Sequence, residues 1–137
     1  MIANFKIISF TEIELNGIEF DLHNNFEFLA DETEVLESTI KLYFKKSSES
    51  WANNVKANKL IFILENYNFL KQIEPQEEYL EDDLCLSGIT FFDNDFRDED
   101  YCLMNRAIPK ENDDIIFSFE SERVIRVNCE TITCIIE

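Results

Sequence analysis

Apolar and polar residues alternate through much of this chain, and that period of two constrains the fold more than any other feature. The clearest segment places apolar side chains at every second position on both sides of Asn16-Gly17: Ile13, Leu15, Ile18, Phe20 and Leu22. Asn-Gly suits a two-residue hairpin turn because both turn positions need a positive φ. Residues 12–22 therefore predict a β-hairpin.

The same alternation predicts strands elsewhere in the chain. They cover residues 26–29, 38–44, 59–66, 84–92, 114–120 and 123–137. The run at 59–66 has no polar face, which predicts a central strand buried on both faces. Near the C-terminus, Ser121-Glu122 separates two strands, so Ile115, Phe117 and Phe119 are expected to face Ile125, Val127 and Cys129 across a hairpin.

Little helix is expected between these strands. The polar residues 45–58 predict a loop with one helical turn around Trp51 to Lys56, and Pro75 followed by carboxylates predicts a short helix within 74–84. The chain has 137 residues, 45% of them apolar and thirteen of them Phe, which argues against disorder. The predicted fold is mainly β. It is a single domain over 1–137, an antiparallel β-sandwich or curved sheet of about seven to nine strands with at most one or two short helices.

Acidic residues dominate the charge of the chain. Its formal net charge is −17, and residues 74–100 hold eleven carboxylates against one base, Arg97. Such a field repels nucleic acid phosphates and anionic lipids and attracts basic proteins. Binding to nucleic acid or to a membrane is therefore not expected, whereas a basic protein partner is. The alternative is a solvated region that only keeps the chain in solution.

Three aromatic residues within the acidic segment, Tyr79, Phe96 and Tyr101, favour an interface. Buried aromatic anchors ringed by carboxylates are typical of surfaces where a basic protein docks. The predicted partner-binding residues are Glu77, Glu78, Tyr79, Glu81, Asp82, Asp83, Asp93, Asp95, Phe96, Asp98, Glu99, Asp100 and Tyr101. Alternatively, Tyr79 and Phe96 could be core residues beneath a loop.

No catalytic constellation is apparent. The single histidine, His23, lies in a predicted turn, and one histidine excludes zinc hydrolase sites built from two or three. Gly17 and Gly88 stand alone, so no phosphate-binding loop is present. Many carboxylates could pair as in a glycosidase, but nothing singles out one pair. The protein is therefore not expected to be an enzyme, and no catalytic residue or cofactor is predicted.

Metal binding is not expected either. Asp93 and Asp95 have the spacing that begins a calcium loop, but Asp98 and Met104 stand where that loop needs Gly and Glu. Four cysteines show no paired spacing, so reduced and mostly buried thiols are expected at Cys85, Cys102, Cys129 and Cys134. Lys6 and Glu12 interrupt the first apolar stretch, which argues against a signal peptide or membrane span and favours a cytoplasmic location.

The C-terminal third carries a family resemblance. Phe-x-Phe-Glu at 117–120, a tight turn and Ile-x-Val-x-Cys-Glu-x-Ile at 125–132, in a short acidic β protein, resemble the immunity proteins that bacteria co-produce with contact-dependent inhibition and polymorphic toxins. The resemblance implies stoichiometric occlusion of a cognate toxin domain, often a nuclease with a basic active site. It carries over no functional residue. A phage-type inhibitor that mimics nucleic acid and a small-ligand or carbohydrate-binding β module remain alternatives.

Overall fold

The computed structural model of this protein describes all of residues 1–137. Its ten strands form two sheets. The strands are β1 (Ile2–Ala3), β2 (Lys6–Ser9), β3 (Glu12–Leu15), β4 (Ile18–Asp21), β5 (Phe26–Glu34), β6 (Thr39–Lys46), β7 (Lys59–Ile73), β8 (Leu86–Phe92), β9 (Asp114–Phe119) and β10 (Val124–Ile136). Two 3₁₀ helices, Ser50–Ala52 and Glu77–Asp82, are the only helical segments. The predicted mainly β class with little helix is confirmed.

The larger sheet has seven strands and is curled. Its hydrogen-bonded order is β5-β6-β7-β10-β9-β8, with β1 added beside β10 in the one parallel pair. The backbone N–H of Phe28 in β5 donates to the carbonyl of Leu84, just before β8, at 2.8 Å. The two edges of the sheet therefore approach each other. The smaller sheet has the order β2-β3-β4.

The two predicted hairpins form as expected. Asn16 and Gly17 have φ values of 54° and 80° between β3 and β4, which is the positive-φ pair of a two-residue turn. In the second hairpin, Ile115 lies opposite Val127 and Phe117 lies opposite Ile125. Cys129 and Phe119 lie beyond the paired part of this hairpin, in the same core.

The central strand differs from its prediction. β7 runs through fifteen residues and continues past Asn66, where the predicted strand ends and φ is 55°. Leu60, Phe62 and Leu64 are buried, but the outward-facing isoleucines between them are only partly buried because no other layer covers that face. The prediction that residues 59–66 are buried on both faces was therefore wrong.

Phenylalanine side chains fill the concave side of the curled sheet. The ring of Phe62 contacts those of Phe5, Phe44 and Phe117 with centroid distances of 5.4 to 5.7 Å, mostly edge to face. The smaller sheet covers this core with apolar side chains from its strands: Ile7, Ile13, Leu15 and Phe20. Aromatic pairs in such geometries add to the stabilisation from buried area.

The long loop 93–113 covers the convex face at β8. The N–H of Met104 donates to Oγ1 of Thr90 at 2.9 Å, and Leu103 packs on Gly88. A Cβ on Gly88 would lie 2.8 Å from Cδ2 of Leu103, so glycine permits this close approach. β8 and its neighbour β9, rather than β7, are therefore the strands buried on both faces.

The cysteines are all free thiols. Cys129 and Cys134 are buried in the core, where burial raises the pKa of each thiol to about 12. Cys85 is partly buried and Cys102 is exposed. Two of the four are therefore fully buried, where mostly buried thiols were expected.

Candidate functional site

A buried arginine anchors the acidic loop to the sheet. Arg126 lies in β10 with no exposed side-chain surface, and its Nε donates to Oδ2 of Asp114 at 2.8 Å. Its Nη1 donates to Oδ1 of Asp100 at 3.3 Å, and its Nη2 donates to the carbonyl of Asp93 at 3.1 Å. The guanidinium carbon also lies 5.5 Å from the ring centroid of Phe92. Arg126 therefore joins both ends of the segment 93–100 to β9 and β10.

Two further cations complete this network. Arg97 makes a two-pronged ion pair with Asp114 at 3.0 and 3.1 Å, and its guanidinium lies 3.6 Å above the ring of Phe69. Lys71 donates to Oδ2 of Asp100 at 2.6 Å. Both geometries are those of strong, partly desolvated ion pairs. The loop is thus fixed by contacts with three neighbouring strands.

The remaining two arginines pair in the same way. Arg106 contacts both carboxylate oxygens of Asp113 at 2.6 Å and lies 3.5 Å from Asp93. Arg123 makes a two-pronged pair with Asp83 at 2.9 Å. All four arginines of the chain are therefore bound to its own carboxylates.

Three predicted partner-binding carboxylates are engaged within the chain. Asp100 is 8% exposed and bridges Lys71 and Arg126, so it is not accessible to a partner. Asp83 is held by Arg123 and by the hydroxyl of Ser121, and Asp93 is paired with Arg106. Asp83, Asp93 and Asp100 thus pair with cations of the chain itself, so their charges already contribute to the fold.

The other predicted residues lie at the surface. Seven carboxylates have no cation of the chain within 4 Å and are exposed: Glu77, Glu78, Glu81, Asp82, Asp95, Asp98 and Glu99. Tyr79, Phe96 and Tyr101 are 42%, 52% and 55% exposed. The alternative that Tyr79 and Phe96 are core residues is therefore wrong.

The β9–β10 turn brings the two halves of the acidic segment together. The N–H of Gln76 donates to the carbonyl of Ser121 at 2.8 Å, and the hydroxyl of Ser121 donates to Asp83 at 2.6 Å. These two bonds hold both ends of the 3₁₀ helix Glu77–Asp82 at the turn. The hydroxyl of Tyr101 donates to the carbonyl of Glu122 at 3.0 Å, and its pKa is raised by burial, by the Glu122 carboxylate and by that of Asp100. No such contact brings Phe96 to the turn.

A second cluster lies on the other side of the same turn. Nδ1 of His23 lies 2.7 Å from the carbonyl of Leu86, 3.2 Å from Sγ of Cys85 and 3.9 Å from Oε1 of Glu120. His23 lies in a turn as predicted, but its ring contacts distant parts of the chain. The cluster joins residues 62 and 97 positions away from His23, so no local pattern could have revealed it.

The His23–Cys85 contact does not make an activated nucleophile. Burial raises the pKa of the Cys85 thiol, and the carboxylates of Glu120, Asp82 and Asp21 raise it further. A nucleophilic cysteine needs the opposite environment, one that lowers the pKa and favours thiolate. The arrangement can bind a proton or a cation, but it does not favour nucleophilic attack.

An open groove beside Trp51 is the feature that a small-ligand module would use. Its volume is about 460 Å³, and Ile18, Phe20 and Val55 supply its apolar wall. Trp51 is 63% exposed, and its indole N–H donates to the carbonyl of Asn24 at 2.8 Å. The ring is thereby fixed at the rim of the groove.

No protein-family model, curated protein sequence or solved structure matches this chain. The chain has no helix with the length and apolar character needed to cross a bilayer.

Asp114, at the centre of the ion network, should make folding sensitive to acid. Burial alone would raise the pKa of Asp114, but hydrogen bonds from Arg97, Asn128 and Arg126 outweigh burial and hold this pKa below its usual value. A carboxyl with a lowered folded-state pKa stabilises the fold above its unfolded-state pKa of about 3.9. That contribution is lost as the pH falls through the folded-state pKa.

We therefore expect the free energy of unfolding to fall as the pH drops below about 4. Urea unfolding across an acidic pH series measures this loss in the wild type and in Asp114→Asn. The variant is expected to be less stable at pH 7, because two arginines lose their anionic partner, and to lose less stability on acidification. Equal pH slopes for both proteins would show that Asp114 does not contribute.

Proposed function

We propose that this protein neutralises a cognate basic toxin domain through stoichiometric occlusion of its active site, and that this domain is a nuclease. The observation that carries the proposal is the convergence of the 3₁₀ helix Glu77–Asp82 and Tyr101 on the β9–β10 turn. At this turn, exposed aromatic rings lie on the same part of the surface as carboxylates that have no cationic partner in the chain. The function is that of an immunity protein in the cytoplasm.

Exposed carboxylates that have no cationic partner in the chain would take the place of nucleic acid phosphates. A nuclease groove presents Lys and Arg to the phosphate backbone, and carboxylates are alternative partners for the same cations. The docking surface comprises Glu77, Glu78, Tyr79, Glu81, Asp82 and Tyr101, with Asp98, Glu99, Asp95 and Phe96 on the adjoining loop. The two tyrosines supply anchors and the carboxylates supply steering and pairing.

The ion network supports this role by keeping the surface rigid. Arg123 holds the C-terminal end of the 3₁₀ helix through Asp83, while Arg126 and Lys71 hold Asp100 beside Tyr101. A surface fixed before binding loses less conformational entropy when the complex forms. The inward-facing carboxylates thus position the outward-facing ones.

A phage-type inhibitor that mimics nucleic acid would present the same charges. It would act on a host nuclease or repair enzyme and not on one cognate toxin. The gene beside this one distinguishes the two: a toxin domain encoded there favours an immunity protein. Exposed carboxylates next to aromatic anchors suit either partner, since both have a basic groove.

Titration of the protein against the basic domain encoded beside it tests the proposal. We expect a 1:1 complex by calorimetry, loss of the domain's nuclease activity at equimolar ratio, and an association rate that falls steeply with salt. A basic protein of similar charge, such as a histone, is the control and should bind only weakly. Failure to form a complex, or a complex that leaves the activity intact, would contradict the proposal.

A further inference from the structure

We propose that His23, Cys85 and Glu120 form a binding site for a divalent transition-metal ion, with Zn²⁺ as the best match. An imidazole nitrogen, a thiol sulfur and a carboxylate oxygen from these residues lie within 4.8 Å of one another. Zn²⁺ binds these three donor types, usually in a tetrahedron. The site adjoins the docking surface, since the N–H of Cys85 donates to the carbonyl of Asp82 at 3.2 Å, but metal binding there does not depend on the proposed function.

The donor spacing is close to that of a tetrahedral site. Zinc bond lengths of about 2.0 Å to nitrogen and 2.3 Å to sulfur place those two atoms about 3.5 Å apart in a tetrahedron. Nδ1 of His23 and Sγ of Cys85 are 3.2 Å apart. Oε1 of Glu120 lies 3.9 Å from the same nitrogen and within 4.8 Å of the sulfur, so it needs to move inward by up to about 1.3 Å to reach tetrahedral spacing. Its half-exposed side chain is free to make that movement.

Hydrogen bonds from backbone N–H groups position the three residues, which come from three separate parts of the chain. The N–H of Glu120 donates to the carbonyl of Cys85 at 2.9 Å, which places the two side chains on adjoining segments. The N–H of His23 donates to Oδ1 of Asp21 at 3.0 Å, which fixes the turn after β4. Ligands supported in this way need little reorganisation when an ion binds.

The fourth coordination position falls to a water or, after a shift of about half an ångström, to the carbonyl of Leu86. This carbonyl is 2.7 Å from Nδ1 of His23, where tetrahedral ligands lie about 3.3 Å apart, and 3.9 Å from Sγ of Cys85. Because a carbonyl only accepts, Nδ1 carries the proton in the metal-free protein. When the ion binds, that proton is replaced at Nδ1 while Nε2 carries one, so the ring stays neutral. The thiol of Cys85 releases its proton to solvent.

The surrounding charge favours a cation. Besides Glu120, the carboxylates of Asp21 and Asp82 act on Cys85, and Glu120 has no Lys or Arg partner. A divalent ion would offset this excess of negative charge. An open cleft of about 290 Å³, lined in part by His23 and Cys85, gives the ion a path from solvent. Entry and charge thus both agree with the donor set.

Titration of the full-length protein with Co²⁺, the spectroscopic substitute for Zn²⁺, tests the site. We expect one equivalent to bind, with a near-ultraviolet thiolate-to-cobalt charge-transfer band that excess Zn²⁺ removes. Cys85→Ser should abolish the band. The matched control is Cys102→Ser, because Cys102 lies 3.2 Å from Glu99 but has no imidazole beside it. This control should leave the band unchanged.

The other two ligands are tested by His23→Asn and Glu120→Gln. Each should weaken Co²⁺ binding by about tenfold or more, equivalent to about 1.4 kcal/mol. Glu122→Gln, on the same turn, should have no effect. Circular dichroism and thermal unfolding confirm that each variant folds, and Zn²⁺ should raise the melting temperature of the wild type but not of Cys85→Ser. A missing band, or one that persists in Cys85→Ser, would overturn the proposal.

Discussion

Replacing Arg126 by Met is expected to destabilise the protein by about 3–5 kcal/mol, because it removes one of the two cations that each of two buried carboxylates contacts. Arg126 is wholly buried, Asp114 has no exposed surface and Asp100 is 8% exposed. Neither carboxylate can recover its hydration when the guanidinium is removed. Arg97 and Lys71 would still pair with them, which keeps the expected loss within this range.

Urea unfolding at pH 7 measures this loss. Lys45→Met is the control, since Lys45 and Glu27 form a surface pair at 3.6 Å and such pairs contribute about 0–1 kcal/mol. Hydrogen exchange adds a local measurement, because the amides of the segment 93–101 should lose protection when Arg126 no longer holds it. Equal destabilisation by the two variants would show that burial of the ion pair is unimportant here.

The hairpin at Asn16-Gly17 and the paired core faces of β9 and β10 were predictable because local rules determine them. A turn dipeptide and an alternation of period two fix the inward face, so Phe117 and Ile125 both face the core across the hairpin as expected. Residues 59–66 show where such rules end. Their sequence cannot reveal that the outer isoleucines of β7 lack a covering layer.

The pairing of charges could not be predicted from the count of acids. Eleven carboxylates against one base suggested a uniformly free surface, yet arginines outside that segment reach Asp83, Asp93 and Asp100 through tertiary contacts. The composition contains one indication of this pairing. The chain has four arginines, and arginine is the residue type best suited to buried, two-pronged pairs with carboxylates.

Arg126 illustrates the same limit within a strand. Its position between Ile125 and Val127 assigns it to the convex face, which an isolated hairpin would expose to water. The loop 93–113 buries it by folding back over that face. The metal-binding cluster around His23 likewise depends on contacts between distant segments. Alternation thus predicts which face a residue occupies, but not what covers that face.

Reversing three charges on the 3₁₀ helix is expected to abolish tight binding of the basic partner. The variant Glu77→Lys, Glu78→Lys, Glu81→Lys replaces attraction with repulsion at the docking surface. The expected loss is on the order of 2–5 kcal/mol, or about thirtyfold to several thousandfold in Kd. None of the three carboxylates pairs with a cation of the chain, so the fold should be retained.

A second triple variant separates local docking from the overall field of the protein. Glu32→Lys, Glu34→Lys, Glu37→Lys makes the same change in net charge at exposed carboxylates on and after β5 that also lack an intramolecular cation. Surface plasmon resonance of both variants against the basic domain, at low and physiological salt, gives the comparison. If the docking surface is the 3₁₀ helix, the β5 variant should slow association modestly and leave dissociation unchanged, since charges that do not contact the partner act through steering alone. Equal losses of affinity in both variants would show that only the net charge of the protein matters. Unchanged binding by the helix variant would show that the partner binds elsewhere.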